Sequence, residues 1–476
     1  MDLEIVHGGG AVAGPDGTWR LKDLLAVRAG GAPPRIRAAQ LDGPWLRLAL
    51  DDGSRHAVLA PGARADEPHS PARALLVHDI GQLLTFDSDE GDGLGLQRDT
   101  ALLCVDGRVA LFGEQALARA PTDAERIDAR GALVTPGLID PHTHPIFAGD
   151  RAVEFGMKAQ GKTYLEIHKA GGGLYSTVRA TRAASTDELA RAGRRNLDRL
   201  LRWGVTTIEG KSGYALETEG ELRMLEALRL VADTHPVDVE PTLLGAHAVP
   251  PEHKESRDAY IDEIVEQMIP RAARGQLARW CDAYCEDGAF TRDEVQRIFE
   301  AARAHGLGLR LHAEQFTDQR GAQLAAELGA ASADHLEAVS DDGIAAMAAA
   351  GTVAILLPGA ALTCRCPWPP ARALAEAGVP IALGTDLNPG SSMTASLPLM
   401  MSLACTQMRM SCEEAWRAVT IVAARSLGLD DVGVLRPGAR ADLVIFDAQD
   451  YRVVPYFFGD NHARVVIKDG RVVVGA

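Results

Sequence analysis

Two histidines stand one residue apart at the close of an apolar run, in Pro136-Gly137-Leu138-Ile139-Asp140-Pro141-His142-Thr143-His144. In an extended strand, residues two apart point the same way, so His142 and His144 can share one metal ion. Three later apolar runs also end in His or Asp: Leu309-Arg310-Leu311-His312, Ser332-Ala333-Asp334-His335 and Ile381-Ala382-Leu383-Gly384-Thr385-Asp386. A charged aspartate after a buried run is costly unless it is paired or bound to metal. A lone histidine there is more often a satisfied core residue, but four run ends giving His or Asp in order argue for a site. Three imidazoles and one carboxylate suit Zn²⁺ or iron and leave a position for water. Such a metal lowers the pKa of its water and polarises a carbonyl. Asp386 can then take the proton of the attacking water, and His335 can stabilise the developing oxyanion. The reaction class that follows is hydrolysis of a C–N bond.

Eight apolar runs position these residues, near 133–144, 204–214, 239–247, 280–286, 308–315, 332–337, 353–359 and 381–388. Helical patterns lie between most of them, as in Thr186 to Trp203 and Thr291 to His305. Strand and helix in alternation, with the polar residues at the strand C-termini, predict a (β/α)₈ TIM-type barrel over 136–429. An open doubly wound sheet is the structural alternative. Outside it, strand-like segments sit near both chain ends. Asp106-Gly107 and Asp469-Gly470 read as hairpin turns. They predict a small β-sandwich domain from 75–135 and 430–476. Residues 1–74, rich in Gly, Ala, Pro and Arg with runs such as Trp45 to Leu50, read as a β-rich or partly disordered appendage.

The chain has 476 residues, 46% of them hydrophobic, and a net charge of −16. That charge argues against nucleic acid or an anionic membrane as partner. No apolar run approaches the ~20 residues of a membrane helix, and Met1 to Gly10 lacks the pattern of a secretion signal. Seven cysteines include two close pairs, Cys281/Cys285 and Cys364/Cys366, neither with Cys-x-x-Cys spacing. Reduced, mostly buried thiols in a cytoplasmic protein are expected. Gly156 to Thr163 fits a phosphate-loop pattern, yet the charged stretch before it is no buried strand. Gly8-Gly9-Gly10 lacks the helix a dinucleotide loop needs, because Pro15-Asp16-Gly17 follows. Gly171-Gly172-Gly173 reads as a loop able to approach a ligand.

The strand-end set resembles the amidohydrolase superfamily. The closer resemblance is to the imidazolonepropionase family, over about residues 75 to 476. It rests on Ile139 to Arg151 (IDPHTHPIFAGDR), Ala170 to Arg182 (AGGGLYSTVRATR), Glu209 to Tyr214 (EGKSGY), Leu244 to Pro250 (LGAHAVP), Ser332 to Glu337 (SADHLE) and Gly384 to Ser391 (GTDLNPGS). The resemblance implies one metal ion, Zn²⁺ or Fe³⁺, on His142, His144, His312 and Asp386. It implies 4-imidazolone-5-propanoate as substrate, N-formimidoyl-glutamate as product, and a homodimer. Arg151 matches a substrate-binding position and suits the propanoate, since guanidinium binds carboxylate bidentately. Tyr214, His247, Asn388, Gly390 and Ser391 match the other substrate and product contacts. Some family members carry Glu where Gln315 stands. Gln315 can hydrogen-bond the ring but cannot act as a base. Proton transfer then falls to Asp386, with help from His247 or His335. The same substitution counts against the runner-up, a heterocycle deaminase; another cyclic-amide hydrolase is the further alternative. Glu286, at the end of the fourth run, marks where relatives with two metals place a bridging group.

Overall fold

A computed structural model describes residues 73–87, 93–162 and 172–475 in full, and six strands within residues 4–59 by their backbone. The chain forms two compact units. One comprises Met1–Pro136, Val434–Asp450 and Arg464–Ala476; the other comprises Gly137–Gly433 and Tyr451–Ala463.

The second unit is built on eight parallel strands in sequential order: β1 (Leu138–Thr143), β2 (Val205–Lys211), β3 (Asp238–Ala246), β4 (Trp280–Cys285), β5 (Gly308–Ala313), β6 (Ser332–His335), β7 (Val353–Leu356) and β8 (Ile381–Leu383). All seven successive pairings are parallel. The sheet closes on itself where Asp386 N donates to His142 O and His144 N donates to Leu387 O, both at 3.0 Å. Thr385 reinforces the seam by donating its N–H and its hydroxyl to Asp140, at 3.1 and 2.5 Å. Closure excludes the open doubly wound alternative. Strands covered on both faces are buried throughout, as β1, β2, β6, β7 and β8 are, and β7 and β8 read as continuous apolar runs for that reason.

Helices return the chain between strands. Helix Thr186–Arg202 starts at a capping box, Ser185 with Glu188, and buries Leu189, Leu197, Leu200 and Leu201. Each such leucine contributes roughly 1.5–3 kcal/mol relative to exposure. Helix Arg292–Ala304 starts the same way from Thr291 and Glu294. Gly156 lies inside helix Ala152–Ala159, so no strand feeds the phosphate-loop pattern; its Thr163 and residue Gly171 lie outside the described residues.

The other unit holds a seven-stranded mixed sheet from both chain ends. Its order is Arg471–Val474, Ala463–Lys468, Leu443–Phe446, Glu125–Pro136, Ala74–Leu83, Gln97–Val105 and Arg108–Phe112. Both expected hairpin turns are present. Asp106 and Gly107, with φ 49° and 76°, and Asp469 and Gly470, with φ 48° and 68°, supply the left-handed pairs that a two-residue hairpin demands. The appendage contributes two three-stranded antiparallel sheets, Glu4–Val6 with Ala11–Gly14 and Gly17–Arg20, and Ile36–Asp42 with Trp45–Leu50 and Arg55–Leu59. Gly8 to Gly10 lie outside the described residues.

Three expectations need correction. The first apolar run belongs to two sheets: Leu133–Pro136 pairs antiparallel with Leu443–Phe446, and the barrel begins at Leu138. Gly137 makes the step, because a Cβ there would fall 2.1 Å from Thr206 Oγ1. Residues Tyr451–Ala463, read as part of the small domain, group with the barrel. Trp416 Nε1 donates to Tyr451 O at 2.9 Å and Ser402 Oγ donates to Pro455 O at 2.6 Å, which ties them there. The thiols are less buried than expected: all seven are free, Cys104, Cys281 and Cys285 are buried, and the other four are half-buried. Among the described residues no helix is long and apolar enough to cross a membrane.

Candidate metal centre

His142 and His144 leave the end of β1 on one side of the strand, and β5 delivers His312 opposite them. The three imidazoles are buried, and one ligand-capable nitrogen from each lies within 4.8 Å of the others. Asp386, just past β8, brings Oδ1 to 3.5 Å from His142 Nε2 and to 3.5 Å from His144 Nε2. Four residues 2 to 244 positions apart thus converge where the sheet closes. Buried His142 Nε2 and His312 Nε2 have no hydrogen-bond partner among the described residues. Buried polar atoms are almost always satisfied, so this pair of bare nitrogens fits a bound cation. Three imidazoles and a carboxylate form a borderline donor set suited to zinc or iron.

Electrostatics favour the same reading. Burial, with the Lys211 ammonium nearby, holds His142 neutral well below the usual imidazole range. Burial lowers His312 to about 4 against the pull of Asp282. Burial opposes ionisation of Asp386, but His144, His335 and His312 outweigh it and hold the carboxyl below its ordinary range. Neutral imidazoles and an ionised carboxylate are the forms that ligate metal.

A layer of buried charge holds these imidazoles in place. His142 Nδ1 donates to Asp334 Oδ2 at 2.6 Å, and His312 Nδ1 lies 3.0 Å from Asp282 Oδ2. Lys211 Nζ donates to Asp282 Oδ2 at 2.7 Å and to Glu209 Oε1 at 2.8 Å, and stands 3.9 Å from Asp334 Oδ2. Burial opposes its charge, yet Asp282 and Glu209 raise its pKa, so it remains a cation. Sequence reasoning assigned no role to Asp282, Asp334, Lys211 or Arg310. The available signal was charge at alternate positions of buried strands, Glu209 with Lys211 and Arg310 with His312.

The remaining expected residues stand around these four side chains. His335 Nδ1 lies 3.8 Å from Glu337 Oε1. Burial opposes its protonation, but Glu337 and Asp386 lift its pKa above the usual value. His335 and Asp386 turn through the left-handed region, with φ 80° and 51°. Such backbone costs about 1–3 kcal/mol for a non-glycine residue and recurs where side-chain direction matters. His247 stacks on His144 at 5.4 Å between centroids and donates from Nδ1 to Gly213 O at 2.9 Å. Its Nε2 therefore carries a lone pair. Tyr214 packs against both rings, at 5.7 and 5.3 Å. Asn388 Oδ1 accepts from Gly390 N at 2.7 Å and Ser391 N at 2.8 Å, and Ser391 Oγ donates to Asp386 Oδ2 at 3.1 Å. Arg151 Nε donates to Thr177 Oγ1 at 3.0 Å, and its Nη1 lies 2.5 Å from where a Cβ on Gly390 would sit. Gln315 Oε1 accepts from Tyr284 at 2.7 Å. Glu286 is spent on its own loop: it accepts from Phe316 N at 2.8 Å, Thr317 N at 3.2 Å and the Thr317 hydroxyl. It is poorly placed to bridge a second metal.

The sequence model of the Amidohydrolase family matches residues 133–473. An imidazolonepropionase of Geobacillus thermodenitrificans is 53% identical over 353 residues, covering 74% of this chain and 83% of the relative. An imidazolonepropionase of Rubrobacter xylanophilus is 46% identical over 410 residues, covering 83% and 97%. A mutant of atrazine chlorohydrolase from Arthrobacter aurescens, solved with zinc and atraton, shares the fold with a TM-score of 0.63 at 17% identity, covering 84% of this chain and 95% of that one.

Proposed function

The chain belongs to the amidohydrolase family, and we propose that it hydrolyses the ring amide of 4-imidazolone-5-propanoate to N-formimidoyl-L-glutamate, as an imidazolonepropionase of histidine degradation. The observation that carries this reading is the meeting of His142, His144, His312 and Asp386 beside the Arg151 guanidinium loop. In the reaction, water adds to the ring carbonyl carbon and the bond from that carbon to its ring nitrogen breaks. The carbonyl becomes the α-carboxylate, and the nitrogen leaves with one proton as the formimidoyl terminus.

His142, His144, His312 and Asp386 would hold one ion, Zn²⁺ or Fe³⁺, which when bound supplies an acidified water and polarises a carbonyl. Asp386 takes the proton of the attacking water and hands it to the departing ring nitrogen, with Ser391 Oγ fixing its carboxylate. His335 donates a hydrogen bond to the carbonyl oxygen as charge grows there; its raised pKa suits a donor. Arg151, its Nε anchored on Thr177, offers its terminal nitrogens to the propanoate. His247 presents a bare Nε2 to the ring, and Tyr214 walls the pocket against water. Asn388, Gly390, Ser391 and Gln315 complete the contacts to substrate and product.

Metal analysis of the purified chain, coupled to loss of the imidazolone ultraviolet band, tests the reading. One ion per chain and ring opening without free ammonia are expected. Release of ammonia from an exocyclic amine would instead make the chain a deaminase. The same reading carries a cytoplasmic homodimer, for which light scattering should give twice the 50.6 kDa chain mass.

A further inference from the structure

Tyr284 lies on β4, and its ring centroid stands 5.8 Å from that of His312 and 6.3 Å from that of His247. Its hydroxyl donates to Gln315 Oε1 at 2.7 Å. Gln315 follows His312 by three residues and is 8% exposed, so both groups belong to the wall of the centre. A side-chain amide is ambiguous by itself, since its oxygen and nitrogen differ little in shape. Here the phenol resolves it. A phenol keeps its proton at neutral pH, so the hydroxyl needs an acceptor. Among the described residues that hydroxyl has no hydrogen-bond partner besides Gln315. Turning the amide over would set its NH₂ against the phenol and leave the phenolic proton without an acceptor, which is costly in a half-buried place. The amide oxygen is therefore committed to Tyr284. The NH₂ donates to nothing else among the described residues and stays available to a ligand.

We propose that Tyr284 is a positioning residue that locks Gln315 as a hydrogen-bond donor, so that the site selects a ring bearing an acceptor, a carbonyl oxygen or bare ring nitrogen, and rejects one bearing an amine there. This rests on the proposed hydrolysis of a small ring and deepens it. A carboxylate at residue 315 would welcome an amine; a locked amide NH₂ meets it donor to donor. Sites built to satisfy one hydrogen-bonding pattern discriminate strongly, because the mismatched partner leaves buried groups unpaired.

Two ring analogues with the same propanoate arm test this, one a hydantoin carrying the carbonyl, the other an imidazole carrying an amine at that position. Competition constants are measured on the metal-loaded chain. The wild-type chain should prefer the carbonyl analogue by about tenfold or more. Tyr284→Phe, with unchanged metal content, should shrink the preference to about threefold or less by letting the amide turn over. Gln315→Glu should reverse it. A preference unmoved by Tyr284→Phe overturns the role of Tyr284, whatever the chain hydrolyses. A preference that Gln315→Glu fails to reverse overturns the donor assignment, and it decides alone should the phenylalanine variant not fold. If the preference behaves as expected while the wild-type chain leaves imidazolone propanoate untouched, the lock stands and the proposed reaction falls.

Discussion

Asp334 Oδ2 lies 2.6 Å from His142 Nδ1, with both side chains sealed from solvent. The contact fixes which imidazole nitrogen carries the proton, and so leaves Nε2 bare toward His144 and His312. A metal-ligating histidine whose outer nitrogen is held this way typically loses about 10–100-fold in metal affinity when the acceptor is removed. Asp334→Ala should show that loss in chelator competition with Zn²⁺. An affinity equal to wild type would mean the contact has no part in holding metal.

His142→Ala probes the same imidazole directly. It deletes a proposed ligand, so bound metal and turnover should vanish together while the barrel stays folded by circular dichroism. Full turnover from a metal-free variant would refute the ligand assignment.

How much of this was legible in the sequence follows from burial. Strands such as β7 and β8 are covered on both faces, so each is a short run of apolar residues, and a charged group such as Asp386 just past β8 stands out against that background. What escaped depends on pairing across the sheet. Lys211 and Asp282 are 71 residues apart, and His142 and Asp334 are 192 apart. No local pattern says that these charges neutralise each other. The step at Gly137 escaped for a similar reason. Leu133-Val134 before it and Leu138-Ile139 after it are apolar alike, and hydrophobicity does not record that the backbone leaves one sheet for another.

Stability should carry a pH signature from Glu314. Burial raises its carboxyl to about 7 despite backbone N–H groups at Ala322 and Gly321. The folded chain therefore keeps a proton that the unfolded chain gives up near 4.5. The stabilisation from that proton is complete below about 4.5 and is lost as pH rises through about 7, by up to about 3 kcal/mol. Glu314→Gln, neutral at every pH, should flatten that decline. Denaturant midpoints at about pH 5 and about pH 7.5 measure it, and an undiminished slope in the variant would assign the effect elsewhere.

Arg151→Ala should raise KM by about tenfold or more with a smaller change in kcat, because the propanoate contact we propose for it would be made equally before and during the reaction. Anchoring of its Nε on Thr177 leaves the terminal nitrogens to clamp a carboxylate. An unchanged KM sinks that role.

Gly390 offers a test of the same guanidinium that leaves its charge in place. A Cβ on Gly390 would fall 2.5 Å from Arg151 Nη1 and 3.2 Å from its Cζ, so the methyl of Gly390→Ala must push the arginine aside. The obstacle is the far end of a flexible side chain, which moves without straining the barrel. Thermal stability should therefore stay close to wild type, metal content should be unchanged, and KM should rise toward the value of Arg151→Ala. Combining the two substitutions should add little to either alone, since both act on one contact. Additive effects on KM would place Gly390 and Arg151 on separate parts of the substrate.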